Sequence, residues 1–333
     1  MPIQWFPGHM HSTKKALLKR LPDIDVVIEL LDARLPGSSS NPLLAELTAG
    51  KPALKVLNKQ DLADPERTAL WLAHFQARPG TQALALDAGM AAPARPLVAA
   101  CRALVPGRGG MVKPVRVLVC GVPNVGKSTL INTLAGQKKA HTGDEPGITK
   151  TEQKIMLASD FQLYDTPGML WPRIHVEEAG DHLAASGGVG RNGYDEQEVA
   201  QALLARVRGR YGPSLQARYR LPDISDAQTW PADALLAEVG RRRGALIAGG
   251  AVNLHKAAEI VLNDFRAGAW GAITLETPEE FAVWAGAAQT RDAEREAQRA
   301  LLRKARKGGK SGNGSPAPAD SSSETSPQGD TAP

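Results

Sequence analysis

Three short runs in this chain set small, charged and hydroxyl residues at spacings that suit phosphate, Mg²⁺ and purine chemistry. The first is Gly121-Val122-Pro123-Asn124-Val125-Gly126-Lys127-Ser128, a loop bounded by glycines and ending on a lysine and a hydroxyl. Gly121 and Gly126 allow a tight turn, so the amides from Asn124 and Val125 through Thr129 can face phosphate oxygens. Lys127 reaches the β- and γ-phosphates, and the Ser128 hydroxyl suits Mg²⁺. A chance glycine turn would lack the apolar run Val115–Cys120 before it and the helical run Thr129–Leu134 after it. The second run is Asp165-Thr166-Pro167-Gly168. Asp165 can act on Mg²⁺ through water, and the Gly168 N–H can meet the γ-phosphate. Alone this is ordinary turn composition; downstream of a phosphate loop it becomes specific. The third is Asn58-Lys59-Gln60-Asp61, closing the apolar Val56–Leu57. A carboxylate there accepts from guanine N1–H and the 2-amino group, a donor pair that adenine lacks. Asp87-Ala88 ends a further apolar run, where a backbone N–H can support guanine O6.

The order of these runs is unusual. In P-loop proteins that read guanine, the Asn-Lys-x-Asp run normally comes last, and here it comes first. The order implies a circular permutation, with new ends opened between the usual third and fourth strands.

Two positions bear on hydrolysis. Glu145-Pro146-Gly147-Ile148-Thr149 lies between the phosphate loop and Asp165, and Thr149 suits a switch residue that closes on Mg²⁺; Thr142 and Thr151 compete for that role. A water-orienting glutamine would follow Gly168, but Met169 stands there and cannot polarise water. His9 could orient the water instead, or serve as a structural or RNA-contacting residue. Asn124, in a Gly-x-Pro-Asn loop, can hold K⁺ against the phosphates and supply charge that an arginine would otherwise bring.

The elements needed to position these groups follow from periodicity. Asp25–Leu31, Ala53–Leu57, Ala83–Leu86, Val115–Cys120 and Phe161–Tyr164 read as strands, with a sixth around Ile155–Leu157. Helical runs at Pro65–Gln76, Pro96–Leu104 and Ser128–Leu134 alternate with them. This predicts an α/β fold, a doubly wound and mostly parallel sheet with ligands at the carboxyl ends of its strands. From Glu177 the strand pattern stops, and Val199–Tyr211, Ala232–Arg243 and Val252–Phe265 read as amphipathic helices. The expected organisation is a permuted nucleotide-binding domain over 1–176, a smaller helical domain over 177–285, and a charged, then disordered tail over 286–333.

Composition narrows the function classes. The 333 residues carry a net charge of +5, compatible with an anionic partner. Basic residues cluster at Lys14, Lys15, Lys19 and Arg20, at Arg241–Arg243, and at Arg303–Lys310. No apolar run approaches the ~20 residues that span a bilayer, and no leader pattern opens the sequence, so no membrane association and a cytoplasmic location are expected. The two cysteines, Cys101 and Cys120, have no zinc-ligand spacing, and Cys120 reads as a buried, reduced strand residue.

The signature order, Gln4-Trp5-Phe6-Pro7-Gly8-His9-Met10, Asp32-Ala33-Arg34-Leu35-Pro36 and Asn41-Pro42 resemble the circularly permuted YlqF/RbgA GTPases. Pro146-Gly147-Ile148-Thr149-Lys150, Arg241-Arg242-Arg243-Gly244 and Gly249-Gly250 extend the resemblance to nearly everything except the tail. It implies a GTPase acting late in assembly of the large ribosomal subunit, stimulated by the precursor particle, with Mg²⁺ and K⁺ as ions. It also implies contacts with rRNA and ribosomal proteins, an RNA-binding role for the helical domain, and a catalytic role for His9. An apolar residue at Met169 is in keeping with the family, whereas Asp87 stands where serine is commoner. Nothing requires more than a monomer. The competing readings are a regulatory GTP/GDP switch that does not act on the ribosome, and a small-subunit permuted GTPase. The latter would carry an OB-fold or zinc-binding cysteines, which two scattered cysteines cannot supply.

Overall fold

Apolar runs become the strands of a single sheet in a computed structural model, which describes residues 3, 9–89, 94–110, 112–135, 153–226 and 228–308. They are β1 (Val26–Asp32), β2 (Ala53–Asn58), β3 (Thr81–Leu86), β4 (Val115–Cys120), β5 (Gln153–Ala158) and β6 (Phe161–Asp165). Their spatial order is β3-β2-β1-β4-β6-β5. All pairs are parallel except β5 with β6. Strand β1 is buried along its whole length, which is why it reads as a continuous apolar run rather than an alternating one. Its one internal charge, Glu29, is matched in register by Lys55 of β2, and the two form a buried ion pair.

Chain order and spatial order together confirm the permutation. From β1 the chain steps outward through β2 to β3, returns to the centre at β4, and then fills the other side with β6 and β5. Starting instead at β4 and following β5, β6, β1, β2 and β3 gives the usual connectivity, with the break between third and fourth strands. The direction of winding reverses between β1 and β4, so a crevice opens where the chain leaves their carboxyl ends.

Helices cover the sheet. They are α1 (His9–Arg20), α2 (Pro36–Ser39), α3 (Pro42–Leu47), α4 (Pro65–Gln76), α5 (Ala94–Leu104) and α6 (Lys127–Ala135). Helix α1 buries Met10, Thr13 and Leu17, and the chain then buries Leu21, leaving Leu18 exposed. Local chemistry sets several starts: Asn41 accepts from the Leu43 and Leu44 amides ahead of α3, and Asp64 from Glu66 and Arg67 ahead of α4. In both, proline opens the helix, where a missing N–H costs nothing.

The second half is helical: α7 (Glu177–Ala185), α8 (Glu196–Tyr219), α9 (Ala232–Arg242), α10 (Leu254–Arg266) and α11 (Pro278–Gly308). Helix α8 runs eight residues beyond the predicted end at Tyr211. Tyr211 is where the helix kinks, because Pro213 supplies no N–H to the preceding turn. Helix α10 starts after Val252, which instead bridges to Leu246 in a tight hairpin. Met1–Ala288 forms one compact unit and Gln289–Pro333 another.

Within the first unit, the segment ahead of α11 lies across the loops that follow β1 and β2. Ile273 N–H donates to the Leu62 carbonyl at 2.9 Å, and Leu275 N–H to the Arg34 carbonyl at 2.7 Å. Glu276, fully buried, accepts from the Ser38 amide (2.7 Å) and hydroxyl (2.5 Å) and lies 2.9 Å from His182 Nδ1 of α7. Cys101 and Cys120 are both buried and unpaired in a disulfide, with burial pushing the Cys101 thiol up to about 12.

Candidate nucleotide site

The loop after β4 turns into α6 at the crevice. Gly126 has φ +96°, and a Cβ there would sit 2.3 Å from Asn58 Nδ2, so only glycine fits. Asn58 explains the crowding. Its Nδ2 donates to the Val125 carbonyl at 2.7 Å, and its Oδ1 accepts from the Ala88 N–H at 2.8 Å. One side chain therefore braces the phosphate loop against the loop after β3. Lys59, in a left-handed conformation at φ 63°, donates from Nζ to the Asn124 carbonyl and to Asp32 Oδ2, both at 2.8 Å. Asp61 stands exposed on the following turn, open to a ligand's edge. Asp87 is half-buried and accepts from the Gly89 amide at 2.8 Å.

Lys127 opens α6 and is buried, its Nζ donating to the carbonyls of Gly121 (3.2 Å) and Val122 (3.0 Å). Burial lowers its ammonium to about 8, against the opposing pull of the Asp165 charge. Asp165, at the end of β6, shows the converse: burial raises its carboxyl to about 6 although Lys127 favours the anion. Both Asp165 carboxylate oxygens are buried and, among the described residues, have no hydrogen-bond partner. Thr166 anchors the next step, its N–H and hydroxyl both reaching the Val119 carbonyl, at 3.3 and 2.9 Å. Gly168 then passes so close that a Cβ would lie 3.0 Å from Pro123 Cα and 3.2 Å from Lys127 Nζ. Met169 turns into the core, its N–H on the Gly121 carbonyl and its own carbonyl accepting from Asn41 Nδ2 at 2.7 Å.

The structure thus brings Asn58, Lys59, Ala88, Asn124, Val125, Gly126, Lys127, Asp165 and Gly168 together. Ser128 and Thr129 follow in the first turn of α6, half-buried and exposed respectively. Thr149 lies outside the described residues, as does the His9 side chain, whose backbone opens α1. Sequence reasoning left Asp32, Arg34 and Asn41 without individual roles. The signal was there: Asp32-Ala33-Arg34 occupies the carboxyl end of β1, the strand facing β4 across the crevice, and Asn41-Pro42 is a helix-start signature.

An ordered phosphate loop, a helix N-terminus, a buried lysine and a carboxylate with unfilled acceptor capacity together suit a phosphorylated ligand with its divalent cation. Mg²⁺ fits the donor set, since Asp165 offers two unsatisfied oxygens and Ser128 a hydroxyl at the head of the helix. The Asn124 side chain commits its Nδ2 to the Gly187 carbonyl at 2.7 Å, which makes the amide oxygen the atom a monovalent cation would take.

Comparison with known proteins agrees. Residues 116–212 match a family model described as 50S ribosome-binding GTPase. Ribosome biogenesis GTPase A of Bacillus cereus is 41% identical over 288 residues, covering 84% of this chain and 96% of that protein. The Priestia megaterium protein of the same name is 40% identical, covering 84% and 98%. Mitochondrial ribosome-associated GTPase 1 of Mus musculus is 32% identical, covering 82% and 90%. A GNP-bound YlqF structure from T. maritima shares the fold with a TM-score of 0.57 at 23% identity, covering 81% of this chain and 99% of that one. On the identity and coverage of these relatives, the chain belongs to the ribosome biogenesis GTPase A family.

Proposed function

We propose that this chain binds GTP in the crevice between β1 and β4 and uses its hydrolysis to promote late assembly of the large ribosomal subunit. The observation that carries the pocket's role is the buried Lys127–Asp165 pair at the mouth of the phosphate loop, with both Asp165 oxygens unsatisfied. Such a pair is costly in the protein alone and suits a site completed by phosphate and cation.

In this reading Lys127 leaves the loop carbonyls for the β- and γ-phosphate oxygens. The amides of Val125 to Thr129 cradle the phosphates, and Asp61 accepts from the guanine edge. Asn58 touches the loops rather than the base, holding both walls of the pocket in register. Ser128 and Asp165 hold Mg²⁺, with Thr149 as the third group; the ion, when bound, neutralises charge on the phosphate oxygens. Asn124 holds K⁺. Water attacks the γ-phosphorus, the bond to the β–γ bridging oxygen breaks, and GDP and phosphate leave. Met169, packed into the core, cannot orient that water, which leaves His9 or a group supplied by the particle to do so. Slow intrinsic turnover and stimulation by the particle follow.

The RNA-facing surface in this reading is the end of α9 and the hairpin behind it. Arg241, Arg242 and Arg243 are exposed there, the first two on Glu238, beside exposed Leu246 and Ile247. Exposed Lys15 and Lys19 on α1 add a second basic patch. These charges supply sequence-independent phosphate contacts, while the helical region of 177–285 fixes where a monomer sits on its rRNA and ribosomal proteins. No described helix is long and apolar enough to cross a membrane, and the proposed site of action is the cytoplasm, where precursor particles are built. The test is GTP turnover with purified large or small subunits added. Stimulation by large subunits alone supports the proposal; equal or no stimulation by either contradicts it.

A further inference from the structure

The polar contacts around Asn124 close into a ring through Arg34 and Arg266, two residues that no hydrolytic step uses. Its backbone carbonyl accepts from Lys59 Nζ, and the same ammonium holds Asp32 Oδ2, each at 2.8 Å. Asp32 in turn takes Arg34 by two bonds, Nε to Oδ1 at 3.0 Å and Nη2 to Oδ2 at 2.8 Å. Arg34 Nη1 then donates to the Phe265 carbonyl in the last turn of α10, at 2.8 Å. The next residue, Arg266, reaches across to the end of α7. Its Nε meets the Ala185 carbonyl at 2.8 Å, and its Nη2 meets the Ala184 carbonyl at 3.0 Å and the Tyr194 hydroxyl at 3.1 Å. Two residues on, the Gly187 carbonyl accepts from Asn124 Nδ2 and completes the circuit.

Much of this ring is dry. Asp32 and Arg34 are only 1% and 2% exposed, so their bonds act at low local dielectric and leaving any of them unmade is costly. Burial alone would raise the Asp32 carboxyl, yet Arg34 and Lys59 outweigh it and hold it well below the usual carboxylate range. Asn124 itself sits at φ 60°, a left-handed conformation that a non-glycine residue keeps only when its surroundings fix it from several sides. The ring fixes it from two: carbonyl to β2 and β1, side chain to the turn after α7.

We infer that Arg34 and Arg266 are positioning residues for guanine-nucleotide binding, which tie the phosphate loop at Asn124 to the turn after α7, so that a filled pocket and an ordered turn favour each other. The inference rests on reading this crevice as the GTP site. Neither arginine touches the ligand. Arg34 acts through the Asp32 carboxylate and the Phe265 carbonyl and Arg266 through the Ala184 and Ala185 carbonyls, which a shorter or uncharged side chain cannot reach in the same fork geometry. Coupling of this kind is reciprocal: whatever nucleotide does for the turn, the turn does for nucleotide affinity.

The experiment measures amide hydrogen exchange at 186–188 in the full chain, alone and with GDP or guanosine 5′-(βγ-imido)triphosphate, beside fluorescent-nucleotide affinities for variants. Exchange there slows on nucleotide binding in the wild type. Arg266→Gln abolishes that slowing and weakens nucleotide on the order of tenfold, and Arg266→Lys follows it rather than the wild type. Combined with Asn124→Ala, Arg266→Gln adds no further loss, because both cut one circuit. Wild-type exchange that ignores nucleotide overturns the inference, as do losses that multiply or wild-type affinity in Arg266→Gln. If Arg266→Gln does not fold, the wild-type exchange result decides alone. A wild-type chain that binds no guanine nucleotide would instead overturn the pocket assignment itself.

Discussion

Lys127 and Asp165 are each held in a charged form that the fold makes expensive, and this sets how the free protein responds to pH. Asp165, raised from 3.8 to about 6, binds its proton more tightly in the folded state. Its contribution therefore lowers stability as pH climbs through that window, and the whole cost is present above it. Lys127, lowered from 10.5 to about 8, works in the opposite sense: the folded state gives up its proton first, and stability rises with pH between those values. Two outcomes are expected. In metal-free, nucleotide-free protein, Asp165→Asn raises stability, and Tm with it, by up to ~3 kcal/mol at pH 7.5 but by only about 1 kcal/mol at pH 4.5. Phosphates restore a counter-charge to Lys127, so GDP affinity falls as pH rises beyond about 8; titration calorimetry across pH 7–10 checks this, and Lys127→Ala removes affinity altogether. The base pocket has its own test. Asp61→Asn weakens GTP while sparing or improving xanthosine triphosphate, and unchanged guanine selectivity contradicts the placement of Asp61. The residues proposed to face the ligand could be named from sequence because each sits in a short run with a fixed chemical demand. Asp32 and Arg34 were legible only as a pair at the carboxyl end of β1, since the partners that give them a role, Lys59 and the Phe265 carbonyl, lie 27 and 231 residues further along.

Elements were legible where burial was complete. Strands β1, β2 and β4 read as apolar runs because helices cover both faces of the sheet. Helix α7 escaped notice because its buried face sets only Leu183 and His182 among Ala179, Gly180, Ala184 and Ala185, small residues that give little hydrophobic signal but permit close packing. On α1 the buried stripe runs through Met10, Thr13 and Leu17, a polar residue among them, while Leu18 is exposed. Glu276 marks a third limit. It sits in an irregular segment, yet it joins Ser38 of α2 to His182 on α7. Glu276→Ala leaves the buried Ser38 amide without its acceptor and the Ser38 hydroxyl with His182 Nδ1 alone, and costs about 2–4 kcal/mol in urea unfolding. Glu276→Gln, which keeps an acceptor oxygen, costs less. Equal and negligible losses for the two would show that this junction contributes nothing to holding the helical half.

At the scale of the whole molecule, permutation leaves the pocket intact and changes what leads away from it. The segment after Gly168 passes Met169, Leu170 and Trp171, all buried, and enters α7 directly rather than returning to the sheet. The helical half is thus reached from the nucleotide by covalent continuity through 169–176 and by the polar ring through Asn124. In the proposed cycle, loss of the γ-phosphate releases the first route and reorients the RNA-contacting surface. Charge reversal at Arg241, Arg242 and Arg243 is expected to weaken particle binding several-fold and to flatten its salt dependence, leaving nucleotide affinity unchanged. The most direct measurement is co-sedimentation of the full chain with large-subunit precursors at low salt, with guanosine 5′-(βγ-imido)triphosphate or GDP. Retention on the particle with the triphosphate analogue and release with GDP is the predicted result. A chain that stays free with both, or binds equally with both, contradicts a GTP-driven role in large-subunit assembly.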